Sequence, residues 1–341
     1  MRRVKAPPSR AGVDRYSVIL VAVAATLWAS DAYFRNQLVK HLSPTQIVVA
    51  EDALVMLFLL PVLVRNRHEL RALGARGWAA VAIIAAGAQA LATVLFTASF
   101  SIAAQHQLFA ETFVLQQTQP LIAIVLAWIV LGERRRPWFW PAAAVAIAAV
   151  YMVLFASDPL SPVSALQNGR LEVGLYALGA AALWGSGTVL GRFALGSISF
   201  WSMTALRFTL AFPVLVAVVL AQDGFGGFSH YRLSDFVPNL LAIALVPGLL
   251  ALLLYYRALS KTPASLATIA EMAYPVAATL IASAPPPWGF NQPLYTLQIV
   301  GTALLMGVIV LLNWSKENAP PVLLAGDTSA TAPPALRAIS T

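Results

Sequence analysis

Residues 21–39 read VAVAATLWASDAYFRNQLV and residues 177–195 read ALGAAALWGSGTVLGRFAL, so that, 156 positions apart, Trp28 overlies Trp184 and Ser30 overlies Ser186. Each stretch is apolar over nearly the length a helix needs to cross a bilayer, about 20 residues. The register holds further along the chain. Residues 43–64 align with 199–220 at the same shift, placing Ser43 over Ser199 and Glu51 over Arg207. TVLFTASFS at 93–101 resembles LLLYYRALS at 252–260, and at a shift of 155 Pro120 overlies Pro275 and Gln116 overlies Glu271. The chain is read as an internally duplicated membrane protein.

Composition supports that environment. Hydrophobic residues make up 59% of the 341 residues and charged residues 11%, with a mean hydropathy of +0.76, outside the range of soluble globular proteins. The absence of cysteine excludes disulfides, thiolate catalysis and cysteine-ligated metals. Ten apolar spans are predicted near 17–37, 45–64, 77–98, 107–131, 138–156, 173–194, 200–220, 236–258, 264–284 and 294–314. Their continuous Ala/Leu-rich character lacks the alternation of a barrel strand. The first span has no cleavage pattern and continues into Asp31 and Arg35, so it is not read as a signal peptide.

The fold expected is all-α: ten transmembrane helices in two inverted five-helix repeats, residues 16–157 and 172–314. An extracytoplasmic linker at 158–171 joins them, with a flexible N-terminus at 1–15 and a disordered tail at 315–341. An odd number of spans per half inverts the second half, as in many secondary transporters. Lysines and arginines orient the bundle, because cytoplasmic loops carry the excess. With the N-terminus inside, the inner segments hold the basic residues at 2, 3, 5, 10, 15, 65, 67, 71, 76, 134–136, 192, 261, 316 and 337, and the outer ones only Arg35, Lys40, Arg170 and Arg232. Both termini are thus expected in the cytoplasm, with the protein in the inner membrane. Topology accounts for the +8 net charge without a nucleic-acid partner.

Several motifs resemble one family. ATLWAS (25–30) and AALWGS (181–186) open the halves, LLLYYRALS closes the eighth span, and QQTQPLIAIVLAWIVLGER (116–134) looks like a fourth span with its proline and terminal Gly-Glu. Together they resemble the EamA-type carriers of the drug/metabolite transporter superfamily. The second half departs from the pattern, reading ASAPPPWGFNQP at 282–293 where Gly-Glu would recur. Glu51 also stands where family members often have arginine. The resemblance implies export of amino acids or related metabolites by alternating access, coupled to protons or running as a facilitator or exchanger. A multidrug or organic-cation efflux carrier is the nearest alternative. A non-transporting scaffold or intramembrane enzyme is the alternative from another class. Catalytic motifs, metal-ligand sets and cofactor signatures are missing, so no catalytic residue, metal or cofactor is expected. The expected partners are a small-molecule substrate and membrane lipid, with homodimerisation left open.

An ionisable side chain at mid-bilayer costs about 2.5–3.5 kcal/mol on insertion scales, so Asp31, Glu51, Asp52, Glu111, Arg207 and Glu271 should converge on an interior path. Arg207 and Glu271 each lie about 12 Å from the inner end of their spans at 1.5 Å per residue. They are predicted to form an ion pair, either state-dependent or a permanent structural lock. Glu271 is the first candidate for a proton site and Glu111 the second. Gln116 with Gln119, and Glu271 with Tyr274, are three apart on one helix face each and are candidates to line a substrate path with Gln89 and Tyr255. Pro120 and Pro275 are candidate hinges, or plain kinks. Trp28 and Trp184 fall near mid-span, away from the interfacial belts, where they either stack on a flat or cationic substrate or pack the helix interface. His106 is a weaker candidate near the outer end. Aromatic or amphipathic substrates fit these rings better than sugars or phosphates.

Overall fold

The computed structural model describes residues 15–71, 73–119, 121–122, 125, 139–157, 159–160, 169–194, 197–229, 231, 233–259, 270–271 and 273–314. Among them all regular structure is helical. The expected first span is broken at Ser30 into α1 (Arg15–Ala29) and α2 (Asp31–Leu38). It is followed by α3 (Pro44–Arg65) and the one-turn α4 (Arg67–Leu70). Next, α5 (Ala75–Ile83) passes through a π-helical segment (Ile84–Leu91) into α6 (Ala92–His106). Then come α7 (Phe109–Gln116) and α8 (Phe139–Leu154).

The second half begins with α9 (Arg170–Ala194) and α10 (Phe200–Asp223), which ends in a 3-10 turn (Gly224–Phe228). It continues with α11 (Leu233–Ile243), a second π-helical segment (Ala244–Leu250) and α12 (Ala251–Leu259). α13 (Ala273–Ser283) and α14 (Thr296–Trp314) complete it.

Among the described residues, four stretches could cross a membrane by length and composition: Pro44–Arg65, Ala75–His106, Phe200–Phe228 and Val237–Tyr255. Trp140–Leu154, Ala273–Ser283 and Thr296–Val308 are shorter apolar helices. The third span runs to His106 rather than 98, because the chain turns only where Gln107 adopts a left-handed conformation (φ 58°). Parts of the expected fourth, fifth and ninth spans, Pro120, both tails and most of the linker lie outside the described residues.

The repeated serines start the second helix of each half. Ser43 Oγ accepts from Gln46 N, and the Gln46 side chain accepts in return from Ser43 N, a capping box with Pro44 at the first helical position. Ser199 Oγ accepts from Ser202 N at the start of α10. Each cap satisfies donors that a helix start leaves open.

Packing between the halves is reciprocal. α3 lies along α10, and α8 along α14. α1 packs on α12 and α13, while α9, its counterpart in sequence, packs on α6 and α7. Small residues set the spacing: a Cβ on Gly187 of α9 would stand 2.5 Å from Ala88 Cβ in the first π segment. At the centre, Phe96, Phe100, Phe109, Phe113 and Tyr274 form a buried aromatic cluster on which Trp28 and Trp184 both pack.

The departing segment ASAPPPWGFNQP folds back on the end of α13. The backbone N–H groups of Phe290, Asn291 and Gln292 donate to Ile281 O, Ala284 O and Ala282 O. A Cβ on Gly289 would stand 2.1 Å from Ile281 O, so only glycine fits there. The fold seats the Phe290 ring on Phe109 at 4.2 Å, stacked, with Phe100 and Tyr33 beside it.

Candidate functional site

Beyond the break at Ser30, α2 packs on α11 and α6. Ser30 Oγ donates to Leu27 O at 2.6 Å, an alternative partner that weakens the helical ladder at this point. Arg35, expected in an outer segment, is instead buried at 2% exposure. Its Nε and Nη2 donate to the two Asp31 carboxylate oxygens at 2.5 and 2.7 Å. Nη2 also donates to Glu51 Oε2 at 3.0 Å, and Nη1 to Thr97 Oγ1 at 2.6 Å. The guanidinium carbon stands 5.9 Å from the centre of the Phe96 ring, and Phe96 tilts against Trp184 with centroids 5.6 Å apart. One cation thus joins α2, α3 and α6 beneath one of the repeated tryptophans.

The next residue on α3 opens a second network. Asp52, fully buried, accepts from Gln89 Nε2 at 2.9 Å through Oδ1. Gln89 Oε1 accepts from Arg207 Nε at 2.5 Å, and Arg207 Nη2 donates to Ala88 O at 3.2 Å. Gln89 and Ala88 both belong to the first π segment, where the wider turn displaces backbone carbonyls from the regular ladder. Gly248, in the second π segment, faces the other network: its Cβ position is 3.8 Å from Glu51 Oε1. The π segments therefore flank the two adjacent carboxylates of α3.

The predicted Arg207–Glu271 pair is not formed. Arg207 is held by Gln89 and Ala88 O, and Glu271 Oε1 accepts from Tyr255 Oη at 2.7 Å. Tyr255 in turn tilts against Trp28 at 5.0 Å, so Trp28, Tyr255 and Glu271 form one contiguous group. Tyr274 is not part of it; its ring is buried edge-on against Phe113 at 6.3 Å. Glu111 stands apart from both networks, accepting from Gln292 Nε2 at 3.0 Å, while Gln292 Oε1 accepts from Ala110 N at 2.9 Å. Gln116 Oε1 is buried with no hydrogen-bond partner among the described residues, and Gln119 is half-buried. Pro275 is buried within α13. His106 is exposed at the end of α6.

Arg35 and Thr97 are members of the candidate site that the sequence reading did not single out. The signal was present: Asp31 and Arg35 are four apart inside a predicted span, the spacing at which two charges meet on one helix face.

Outside the spans, Glu69 ties the two halves at the opposite end of α3. Its Oε2 accepts from Ser199 N at 2.7 Å. Burial tends to push this carboxyl up, but hydrogen bonds from the Ser199 backbone and from the hydroxyls of Ser199 and Ser202 outweigh it and hold the group below its ordinary value.

Broken and π-bulged helices around buried, mutually paired charges are how a polar path is built into an apolar bundle, and the class they define is the membrane transporter. The sequence profile of the EamA-like transporter family matches residues 15–155 and 173–314, and the chain belongs to that family. It is 28% identical over 310 residues to the riboflavin transporter ImpX of Fusobacterium nucleatum subsp. nucleatum, covering 88% of this chain and 97% of the relative. A protein solved by crystallography has the same fold, with a TM-score of 0.57 at 16% identity, covering 88% of this chain and 97% of the other.

Proposed function

We propose that this chain is a secondary carrier that moves a small, flat, aromatic metabolite across the inner membrane by alternating access. The observation that carries this reading is the engagement of Arg35 and Arg207 by groups of the protein itself. Arg35 is engaged by Asp31, Glu51 and Thr97, and Arg207 by Gln89 and Ala88 O. The groups we assign to the solute are rings and an amide: Trp28 beside Tyr255, Trp184 beside Phe96, and Gln116. Aromatic faces favour offset stacking on a planar ring system. A relative named for riboflavin, a flat heterocycle, supports the same substrate class. Amino acids, the class implied by the family resemblance, match less well, because the Arg35 charge is met by Asp31 and Glu51 and the Arg207 donors are engaged by Gln89 and Ala88 O.

The ten-span, inverted-repeat architecture belongs to this proposal. It draws support from the reciprocal packing of the halves and from the biased placement of Lys and Arg. Because the chain lacks cysteine, single-cysteine labelling tests the topology directly. At Gly74 and Gly226 nothing lies within 4 Å of where a Cβ would stand. A membrane-impermeant maleimide should label Gly226→Cys but not Gly74→Cys in intact cells; the reverse pattern would overturn the orientation. For the substrate, riboflavin added to the purified protein should show saturable quenching of its own fluorescence, weakened by Trp184→Leu. Non-saturable behaviour in the wild type would count against an aromatic heterocycle.

A further inference from the structure

The two networks on α3 do not balance. Asp31, Glu51 and Asp52 bring three carboxylates, and Arg35 and Arg207 bring two guanidinium groups, leaving one negative charge over. The position of the excess is marked. Both Asp31 oxygens and Glu51 Oε2 accept from Arg35, and Asp52 Oδ1 accepts from Gln89. Asp52 Oδ2 is buried with no hydrogen-bond partner among the described residues, in a residue with no solvent exposure. The groups facing Asp52 are Glu51 on its own helix, Gln89 on the π segment and Arg207 on α10, with only the last cationic. An unpaired carboxylate in such a place is costly, whereas a neutral carboxylic acid is tolerated.

We propose that Asp52 is the proton-binding residue through which this carrier is coupled to the proton gradient, and that Arg207 is its switch. This assignment rests on the carrier reading above. The proton resides on Asp52 Oδ2 in the arrangement seen, where Gln89 separates the acid from Arg207. Loss of the proton to water creates a carboxylate whose nearest available cation is Arg207. The guanidinium then transfers from Gln89 Oε1 and Ala88 O to Asp52, releasing the carbonyl of the π segment and altering the contact of α10 with that segment and with α5. Binding a proton reverses the exchange. Coupling is thereby assigned to Asp52 rather than to Glu271 or Glu111, whose hydrogen bonds from Tyr255 and Gln292 place them in separate groups.

Two measurements on the reconstituted full-length protein test this. The first needs no substrate. Infrared spectra at neutral pH should contain the carbonyl band of a protonated carboxylic acid that is lost in Asp52→Asn and recovered, displaced, in Asp52→Glu. Identical carboxylic-acid bands in wild type and Asp52→Asn would overturn the proposal. The second uses riboflavin as probe: for one proton per substrate, a pH difference of one unit supports up to about tenfold accumulation. Asp52→Asn should lose pH-driven accumulation and keep counterflow exchange, which also reports that the variant is folded. Retained pH-driven accumulation in Asp52→Asn, or driving of the wild type by sodium alone, would overturn the proposal. Absence of any wild-type counterflow would instead retire the carrier reading for this solute, with the infrared result still deciding the protonation of Asp52.

Discussion

Arg35 offers the sharpest perturbation. It makes four hydrogen bonds at 2.5–3.0 Å to Asp31, Glu51 and Thr97, and its side chain is 3% exposed. Replacing it with methionine preserves much of the side-chain length but leaves two carboxylates without their cation. Removing one partner of a buried pair costs about 3–5 kcal/mol, mostly the penalty of the stranded charge. That is a large fraction of a total stability of about 5–15 kcal/mol. At about 2–4 °C per kcal/mol for larger domains, the apparent melting temperature of the detergent-purified protein should fall by about 6 °C or more. The triple variant Arg35→Met, Asp31→Asn, Glu51→Gln should be more stable than Arg35→Met alone, because it leaves no stranded charge. Arg35→Lys should fall between wild type and Arg35→Met, since an ammonium keeps the charge but loses the bidentate geometry. A fall of under about 1 kcal/mol for Arg35→Met, the level of an exposed pair, would refute the reading of Arg35 as the electrostatic centre of α2, α3 and α6.

Three further outcomes follow from the same geometry. Gly289→Ala should destabilise by at least about 1–3 kcal/mol, the cost of forced overpacking, because the added carbon meets two backbone oxygens at 2.1 and 2.5 Å; thermal unfolding reads this directly. Gln292→Leu strands Glu111 and the Ala110 N–H at the start of α7 and should cost about 1–3 kcal/mol, with the parallel variant Glu111→Gln milder because an amide oxygen still accepts from Gln292. Glu69 has a folded value below its ordinary one, so its contribution is fully present above the ordinary carboxylate value and is lost as pH falls through the folded value. Melting temperature measured across the acid range should therefore show a shallower acid-side decline in Glu69→Gln than in the wild type, and equal slopes would contradict the Ser199 contact as its cause.

Which features were legible in the chain follows from what repeats and what does not. Trp28, Ser30, Ser43 and their partners at a shift of 156 recur because both halves need the same caps and the same packing, and the structure places Ser43 and Ser199 as caps and both tryptophans on one aromatic cluster. Arg35 has no such counterpart: residue 191 at that shift is glycine. The charge bias grouped Arg35 with the outer segments, because counting basic residues says nothing about a partner four residues away. The Arg207–Glu271 pairing was argued from depth alone, and depth does not specify azimuth; the π segment turned Gln89 toward Arg207 instead. A π segment leaves little trace in hydropathy, since one extra residue per turn shifts faces without changing composition. The departure at 282–293 was visible as a departure, but its role as a fold-back that stacks Phe290 on Phe109 depends on contacts far apart in sequence.

Everything proposed for the site depends on this EamA-like protein exchanging a small aromatic solute across a bilayer. Counterflow in proteoliposomes tests that exchange most directly: vesicles containing the full-length protein are preloaded with unlabelled riboflavin and diluted into a trace of labelled riboflavin. A carrier of this kind should give a transient overshoot of label above its equilibrium level, absent from protein-free vesicles. Uptake indistinguishable from protein-free vesicles, with riboflavin and with a panel of other aromatic metabolites alike, would contradict it.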